Sequence, residues 1–167
     1  MSYPDFNQPF QLHTDASKVQ LGAVISQNNR PIAFYSRKLN PAQTRYTVTE
    51  RELLSIVETL KQFRNILLGQ QLEVFTDHMN LTYQTYNSER VMRWHLFIEE
   101  YTPDLKYIPG EKNIVADALS RLDMMHEPMH KAHFTEELRS FLYSLEAHDL
   151  QKEAFPLSYK VLGDGSK

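Results

Sequence analysis

The apolar residues of this chain change their spacing near residue 40, and this change limits the fold more than any other sequence feature. Before it, short apolar runs within 10–37 predict three strands, with a turn at 28–30. After it, apolar residues from 53 to 67 recur at helical spacing, and Thr47 and Glu50 have the spacing of a capping box. Three strands followed by a long helix favour an antiparallel meander extended through a helical crossover.

The rest of the domain continues the alternation of strand and helix. Residues 72–77 form a predicted strand, 88–101 a helix, 105–109 a short strand and 113–122 a final helix. The full order is β-β-β-α-β-α-β-α, which predicts an α/β fold with a mixed sheet and helices packed on it. On the inward face of the helix over 88–101 we expect Val91, Trp94, Leu96, Ile98 and Tyr101.

Composition is that of an ordinary globular domain and excludes several kinds of site. The chain has 167 residues, about one domain by length. It contains no cysteine, which excludes disulfides, thiolate zinc sites and cysteine nucleophiles. Residues 1–122 carry 13 basic and 13 acidic side chains, so this part lacks the basic excess typical of non-specific nucleic-acid binders. No apolar run approaches the ~20 residues that span a bilayer, so we expect no membrane partner.

The last part of the chain differs in charge from the rest. Residues 123–167 carry five basic and eight acidic side chains, which account for the net charge of −3. We expect a polar linker over 123–133 and a helix over 134–149. The apolar stripe of this helix needs cover from the core domain, from a second copy in a dimer, or from another segment of a longer protein. The stripe consists of Leu138, Phe141, Leu142 and Leu145.

Four acidic residues lie where a sheet of this type collects its ligand sites. Asp15 and Asp77 stand at the ends of the first and fourth predicted strands. Glu52 lies in the first turns of the long helix, and Asp117 lies inside the last helix. Clustered carboxylates repel one another unless a cation lies between them, and Mg²⁺ prefers such oxygen ligands. Taken singly, however, such acids are common as solvated strand ends and exposed helix positions, so spacing alone leaves both interpretations open.

Several short motifs follow one another along the chain. They are Thr14-Asp15-Ala16-Ser17, Leu21-Gly22-Ala23-Val24, Arg30-Pro31-Ile32-Ala33, Tyr35-Ser36-Arg37, Glu50-Arg51-Glu52-Leu53-Leu54, Thr76-Asp77-His78, Pro109-Gly110 and Ala116-Asp117-Ala118-Leu119-Ser120-Arg121. In this order they resemble the ribonuclease H domain of gypsy-type LTR-retrotransposon reverse transcriptases, over residues 8–122. Residues 1–7 are then a lead-in, and 123–167 resemble the linker and helical tether that leads toward integrase in a Pol polyprotein.

The resemblance implies a ribonuclease H-like five-stranded sheet and a metal-dependent endoribonuclease that cleaves the RNA strand of RNA/DNA hybrids during reverse transcription. It implies two Mg²⁺ ions, replaceable by Mn²⁺, that clamp the attacking and leaving oxygens. By this resemblance Asp15 contacts both ions and Asp117 contacts the second. Glu52 and Asp77 complete the first site. Glu52 is preferred over Glu50 because the catalytic glutamate of the family directly precedes the apolar Leu-Leu-x-Ile stretch.

The resemblance also implies how a substrate and partners are bound. We expect the RNA strand to be recognised through its 2′-hydroxyl groups, with Ala16, Ser17 and Asn113 as substrate-binding residues. The expected partners are the hybrid and the polymerase and integrase portions of the same polyprotein, in a cytoplasmic virus-like particle of a retroelement. Two alternatives stay open, a non-catalytic hybrid-binding or connection module and a domesticated protein derived from a retroelement.

Overall fold

The structure is a computed structural model that describes residues 3–82 and 88–122. These residues form five strands and four α-helices. The strands are β1 (Phe10–Ala16), β2 (Gln20–Gln27), β3 (Arg30–Lys38), β4 (Leu72–Thr76) and β5 (Asp104–Tyr107). The helices are α1 (Val48–Gln62), α2 (Arg64–Leu67), α3 (Glu89–Glu99) and α4 (Ile114–Ser120), and short 3-10 turns cover Gln43–Arg45, Met79–Thr82 and Gly110–Lys112.

The strands form one mixed sheet in the order β3-β2-β1-β4-β5. Strand β2 is antiparallel to both β1 and β3, whereas β4 is parallel to both β1 and β5. This confirms the predicted meander and the predicted crossover through the long helix. Asn28 and Asn29 have φ angles of 50° and 62°, which suit the tight turn between β2 and β3. Asparagine adopts this left-handed conformation more readily than most residues do.

Helix α1 begins at the predicted capping box. The Thr47 hydroxyl accepts a hydrogen bond from the Glu50 N–H, and the Glu50 carboxylate accepts one from the Thr47 N–H. The apolar face of α1 then covers one side of the sheet and closes the hydrophobic core. Core residues from β1, β4 and α1 include Leu12, Val74, Ile56, Val57 and Leu60.

Helix α4 packs on the opposite side of the sheet. In β2, Ala23 belongs to the core under α1, whereas its neighbour Gly22 lies against the backbone of α4. Successive residues of a strand point to opposite faces, so the two helices are separated by the sheet. The acids carried by α1 and α4 therefore approach the end of the sheet from opposite sides.

Two expectations about the helices were wrong in detail. The helical run up to residue 67 is interrupted at Phe63, where α1 has ended and α2 has not begun. Leu96 does not face inward, since it is 55% exposed and lies about 140° around α3 from the buried Val91. His95 takes the buried position instead. The predicted linker and helix over 123–149 lie outside the described residues, and among the described helices none is long and apolar enough to cross a membrane.

Candidate metal centre

Three carboxylates from three different elements meet at one end of the sheet. Asp15 lies near the end of β1, and Asp77 directly follows β4. Because β1 and β4 are parallel neighbours, their final residues reach the same edge. Glu52 in the second turn of α1 completes the group, and one ligand oxygen from each of the three side chains lies within 4.8 Å of the others. We refer to Asp15, Glu52 and Asp77 as the carboxylate cluster.

Glu52 and Glu50 have different surroundings, although only one residue separates them. Positions two apart differ by about 200° in direction around a helix. Glu50 belongs to the capping box, and its Oε1 accepts a hydrogen bond of 2.5 Å from Arg90. Glu52 is only 4% exposed, and its Oε1 accepts a hydrogen bond of 3.2 Å from the Ala16 N–H. The geometry therefore brings Glu52, and not Glu50, into the carboxylate cluster.

Burial gives the cluster unusual acidities. The pKa of Glu52 is raised to about 9, mainly by burial and in smaller part by the charges of Asp15 and Asp77, and the Ala16 N–H opposes this shift. Burial also raises the pKa of Asp15 to about 6, opposed by a hydrogen bond that the Ser120 hydroxyl donates to its Oδ2. Without a neighbouring cation, ionising all three carboxylates is therefore costly.

The cluster has the properties of a site for a hard divalent cation. Its donors are carboxylate oxygens alone, which suit Mg²⁺ better than softer metals. Oε2 of Glu52 is buried and makes no hydrogen bond to any described residue. A buried acceptor without a donor is costly in a folded protein, and a cation satisfies it. The residues present therefore fit a bound metal ion.

Asp117 lies near this cluster but is not part of it. Its side chain is 40% exposed, and its Oδ1 lies 2.5 Å from a guanidinium nitrogen of Arg121, the residue that directly follows α4. Its negative charge nevertheless contributes to the raised pKa of Asp15, which places it within electrostatic reach. Sequence reasoning did not foresee the ion pair with Arg121, although the spacing of four residues on a helix permits it.

Gly22 and Ser120, which sequence reasoning placed in motifs but not among the site residues, link α4 to the carboxylate cluster. Gly22 lies directly opposite Asp15 in the pairing of β1 with β2. A Cβ at this position would collide with the Ala116 carbonyl oxygen and the Ser120 backbone nitrogen. The absence of a side chain lets α4 approach closely enough for Ser120 to reach Asp15. A glycine inside a predicted strand is the sequence signal for such a close approach.

The three residues predicted to bind substrate make contacts within the domain. The Ala16 N–H donates to Glu52, and the Ser17 hydroxyl donates to the Gln20 carbonyl. Asn113 is 2% exposed, and its Nδ2 donates to the Thr14 carbonyl at 2.8 Å, which anchors the start of α4 to β1. Substrate binding by these residues stays a prediction, and the burial of Asn113 disfavours a direct contact.

Comparison with known proteins agrees with this fold. Residues 5–101 match the family described as the RNase H-like domain found in reverse transcriptase. The chain is 38% identical over 162 residues to a retrovirus-related Pol polyprotein from transposon gypsy of Drosophila melanogaster, a match to 93% of this chain and 16% of that polyprotein. It is 37% identical over 139 residues to the transposon Tf2-3 polyprotein of Schizosaccharomyces pombe, over 76% of this chain and 10% of that polyprotein. The chain thus spans a small part of the relatives it matches.

Solved structures show the same fold at low sequence identity. A foamy viral protease-reverse transcriptase in complex with RNA/DNA hybrid has a TM-score of 0.54 and 19% identity, over 65% of this chain and 16% of that chain. RNase H1 from the halophilic archaeon Halobacterium salinarum NRC-1 has a TM-score of 0.52 and 17% identity, over 67% of this chain and 92% of that chain. With the family match and the Pol relatives, these likenesses lead to one conclusion: the chain belongs to the RNase H-like domains found in the reverse transcriptases of retrotransposon Pol polyproteins.

Proposed function

We propose that this domain is a metal-dependent endoribonuclease that cleaves the RNA strand of RNA/DNA hybrids during reverse transcription. The observation that carries the proposal is the carboxylate cluster, in which the buried Oε2 of Glu52 has no hydrogen-bond donor among the described residues. A structural role alone gives no reason to bury Asp15 and Glu52 beside a third acid, the half-buried Asp77, at such a cost. The cluster lies at the carboxyl ends of β1 and β4, which is where open α/β sheets bind their ligands.

The chain's own residues divide into ligands and supports in this proposal. Asp15, Glu52 and Asp77 hold one Mg²⁺, and Asp15 with Asp117 holds a second, with Mn²⁺ able to replace either. When bound, Mg²⁺ neutralises charge at the scissile phosphate and makes the attacking water more acidic. The Ala16 N–H orients the Glu52 carboxylate. A ligand that is already held in place needs less reorganisation when a cation binds. The Asp15 carboxylate is fixed in the same way, by the hydrogen bond that the Ser120 hydroxyl donates to its Oδ2.

A comparison of two neighbouring glutamates tests the proposal directly. Glu52→Gln removes a cluster ligand, whereas Glu50→Gln removes an acid that lies on another side of the same helix and contacts Arg90. With the full chain and an end-labelled RNA/DNA hybrid, we expect Mg²⁺-dependent cleavage by the wild type and by Glu50→Gln, and none by Glu52→Gln. Cleavage that survives Glu52→Gln but not Glu50→Gln would contradict the assignment, provided that both variants unfold as cooperatively as the wild type.

A non-catalytic hybrid-binding or connection module is the second candidate. The ion pair between Asp117 and Arg121 favours it, because the fourth acid already has a cationic partner and is not one of the three clustered acids. Such a module would bind hybrid without cutting it at any Mg²⁺ or Mn²⁺ concentration. The same assay therefore separates the two candidates, and a domesticated retroelement-derived protein is compatible with either result.

The proposal extends to the surroundings of the domain. We propose that residues 8–122 form the folded nuclease unit, that 1–7 lead into it, and that 123–167 link it to the integrase portion of a Pol polyprotein. The polymerase portion would supply most of the affinity for the hybrid, since the neutral charge of residues 1–122 provides little net attraction to phosphates. The expected setting is the cytoplasmic virus-like particle of a retroelement.

A further inference from the structure

His78 and Thr49 connect the two elements that carry Asp77 and Glu52. His78 directly follows Asp77 beyond β4, and Thr49 lies in the first turn of α1. Nε2 of His78 and Oγ1 of Thr49 are hydrogen-bonded at 2.9 Å, with the direction set by the imidazole tautomer. We propose that this hydrogen bond is a positioning contact that sets the separation of the Asp77 and Glu52 carboxylates, and that the two residues act together as one clamp.

On the strand side, His78 is anchored to the end of β4. Its N–H donates to Oγ1 of the buried Thr76 at 3.1 Å. The Thr76 carbonyl in turn accepts a hydrogen bond of 2.9 Å from the Ile108 N–H, just beyond β5. The backbone on both sides of Asp77 is therefore tied to the sheet. From this anchored backbone, the imidazole of His78 reaches Thr49 on α1.

On the helix side, Thr49 and Glu52 belong to the first two turns of α1. They are three residues apart, so they lie on the same face of α1. Glu52 holds this face to β1 through the Ala16 N–H, and Thr49 holds it to the end of β4 through His78. The first turns of α1 are thus fixed to both strands that supply the other cluster acids. Losing the Thr49 contact removes this hydrogen bond between the first turn of α1 and the end of β4, while the apolar face of the helix stays in the core.

The partial burial of the two partners makes the contact effective. Both His78 and Thr49 are half-buried, so water competes less for the hydrogen bond than it does at the surface. The proposed role depends on geometry and not on a change of charge at His78. It differs from a purely stabilising role because it predicts a loss of metal affinity that exceeds any loss of fold stability.

The inference rests on the proposed metal site, so the experiment tests the two separately. Mn²⁺ binding to the full chain is measured by electron paramagnetic resonance, and urea unfolding is followed for each variant. Thr49→Val and His78→Phe each remove the hydrogen bond, and we expect each to weaken Mn²⁺ binding about tenfold, the lower end of the range for outer-shell partners of metal ligands. The double variant should bind no more weakly than either single variant, because both changes remove the same contact.

Two further variants serve as controls. His78→Gln keeps an amide nitrogen near the position of Nε2 and should restore most of the affinity. Thr59→Val makes the same substitution in the same helix, where it removes a hydrogen bond of 2.7 Å to the Ser55 carbonyl, and should leave Mn²⁺ affinity unchanged. The unfolding midpoints of Thr49→Val and Thr59→Val should fall by similar amounts.

The other possible outcomes contradict either the clamp alone or the metal site together with the clamp. If Thr49→Val and His78→Phe bind Mn²⁺ as tightly as Thr59→Val does, the clamp is wrong. The metal site itself still stands in that case, provided that Asp77→Asn abolishes binding. If the loss of Mn²⁺ affinity in the double variant equals the product of the two single losses, the two residues act independently. Their shared hydrogen bond is then not the reason that either residue affects metal binding. If Asp77→Asn binds Mn²⁺ like the wild type, the proposed metal site fails and the clamp fails with it.

Discussion

Helices α1 and α4 each bring an acid toward the same end of the sheet, but they are supported differently. Helix α1 has 15 residues, a full capping box and an apolar face in the core. Helix α4 has 7 residues, no side-chain cap, and a close backbone contact with Gly22. Glu52 on α1 is buried in the carboxylate cluster, whereas Asp117 on α4 is half-exposed and paired with Arg121. This difference shows that packing, and not charge alone, decides which acid joins the carboxylate cluster.

The largest expected effect is a loss of cleavage rate, which should differ between variants of Glu52 and of Asp117. Glu52→Gln should lower the rate of Mg²⁺-dependent hybrid cleavage about a thousandfold or more, because a ligand of the proposed metal ion supplies several kcal/mol of transition-state stabilisation. Asp117→Asn should cost less, since Asp117 lies outside the cluster and is partly solvated. Single-turnover cleavage rates at saturating Mg²⁺ measure both. Equal losses would remove the distinction between the two helices.

The acidities of the cluster predict how stability depends on pH without metal. Glu52 has an ordinary pKa of 4.5, and burial raises it to about 9 in the folded domain. Between these values the folded state keeps a proton that the unfolded state has released, so the free energy of unfolding falls as pH rises. Urea unfolding in EDTA should therefore show lower stability at pH 8 than at pH 5.

Two comparisons sharpen this pH prediction. Glu52→Gln should remove most of the slope, because the glutamine amide does not titrate in this range. Saturating Mg²⁺ should raise stability most at high pH, since the cation binds the ionised carboxylates of the folded state. A metal-free wild type whose stability is flat from pH 5 to pH 8 would contradict the raised pKa of Glu52.

The contact of α4 with Gly22 predicts a smaller but specific effect. Gly22→Ala places a methyl group against backbone atoms of α4, which have little room to move, and should cost about 3 kcal/mol of unfolding free energy. It should also impair cleavage by displacing Ser120 and Asp117. Gly69→Ala is the matched control, because nothing lies within 4 Å of its Cβ position and only its φ of +79° is unfavourable. That variant should lose stability without losing cleavage per folded molecule.

The smallest expected effect concerns the cap of α1. Thr47→Ala removes the hydroxyl that accepts from the Glu50 N–H and should cost about 1 kcal/mol of unfolding free energy. Thr44→Ala is the control, since the exposed Thr44 hydroxyl donates to the Pro41 carbonyl outside any α-helix. If Thr47→Ala also weakens Mn²⁺ binding strongly, the capping box contributes to the position of Glu52 and α1 is less rigid than its packing indicates.

Much of the fold was accessible from the sequence, for local reasons. The change from short apolar runs to helical spacing predicted the order of strands and helices, and Thr47 and Glu50 predicted the start of α1. The asparagines at 28 and 29 predicted the turn between β2 and β3. These features depend on residues close together in the chain, where hydrogen bonding and periodicity act directly. The family resemblance added the preference for Glu52 over Glu50, which spacing alone did not supply.

The arrangement around the carboxylate cluster depended on tertiary structure. The hydrogen bond of Ser120 to Asp15 joins residues 105 apart, and that of Asn113 to the Thr14 carbonyl joins residues 99 apart. No local pattern specifies such pairs, because they form only when α4 packs on the sheet opposite α1. The exposure of Leu96 has the same origin, since a helix with several apolar positions is oriented by what it packs against. By itself, the sequence determined the elements and the candidate acids, whereas packing decided which acids share a desolvated site.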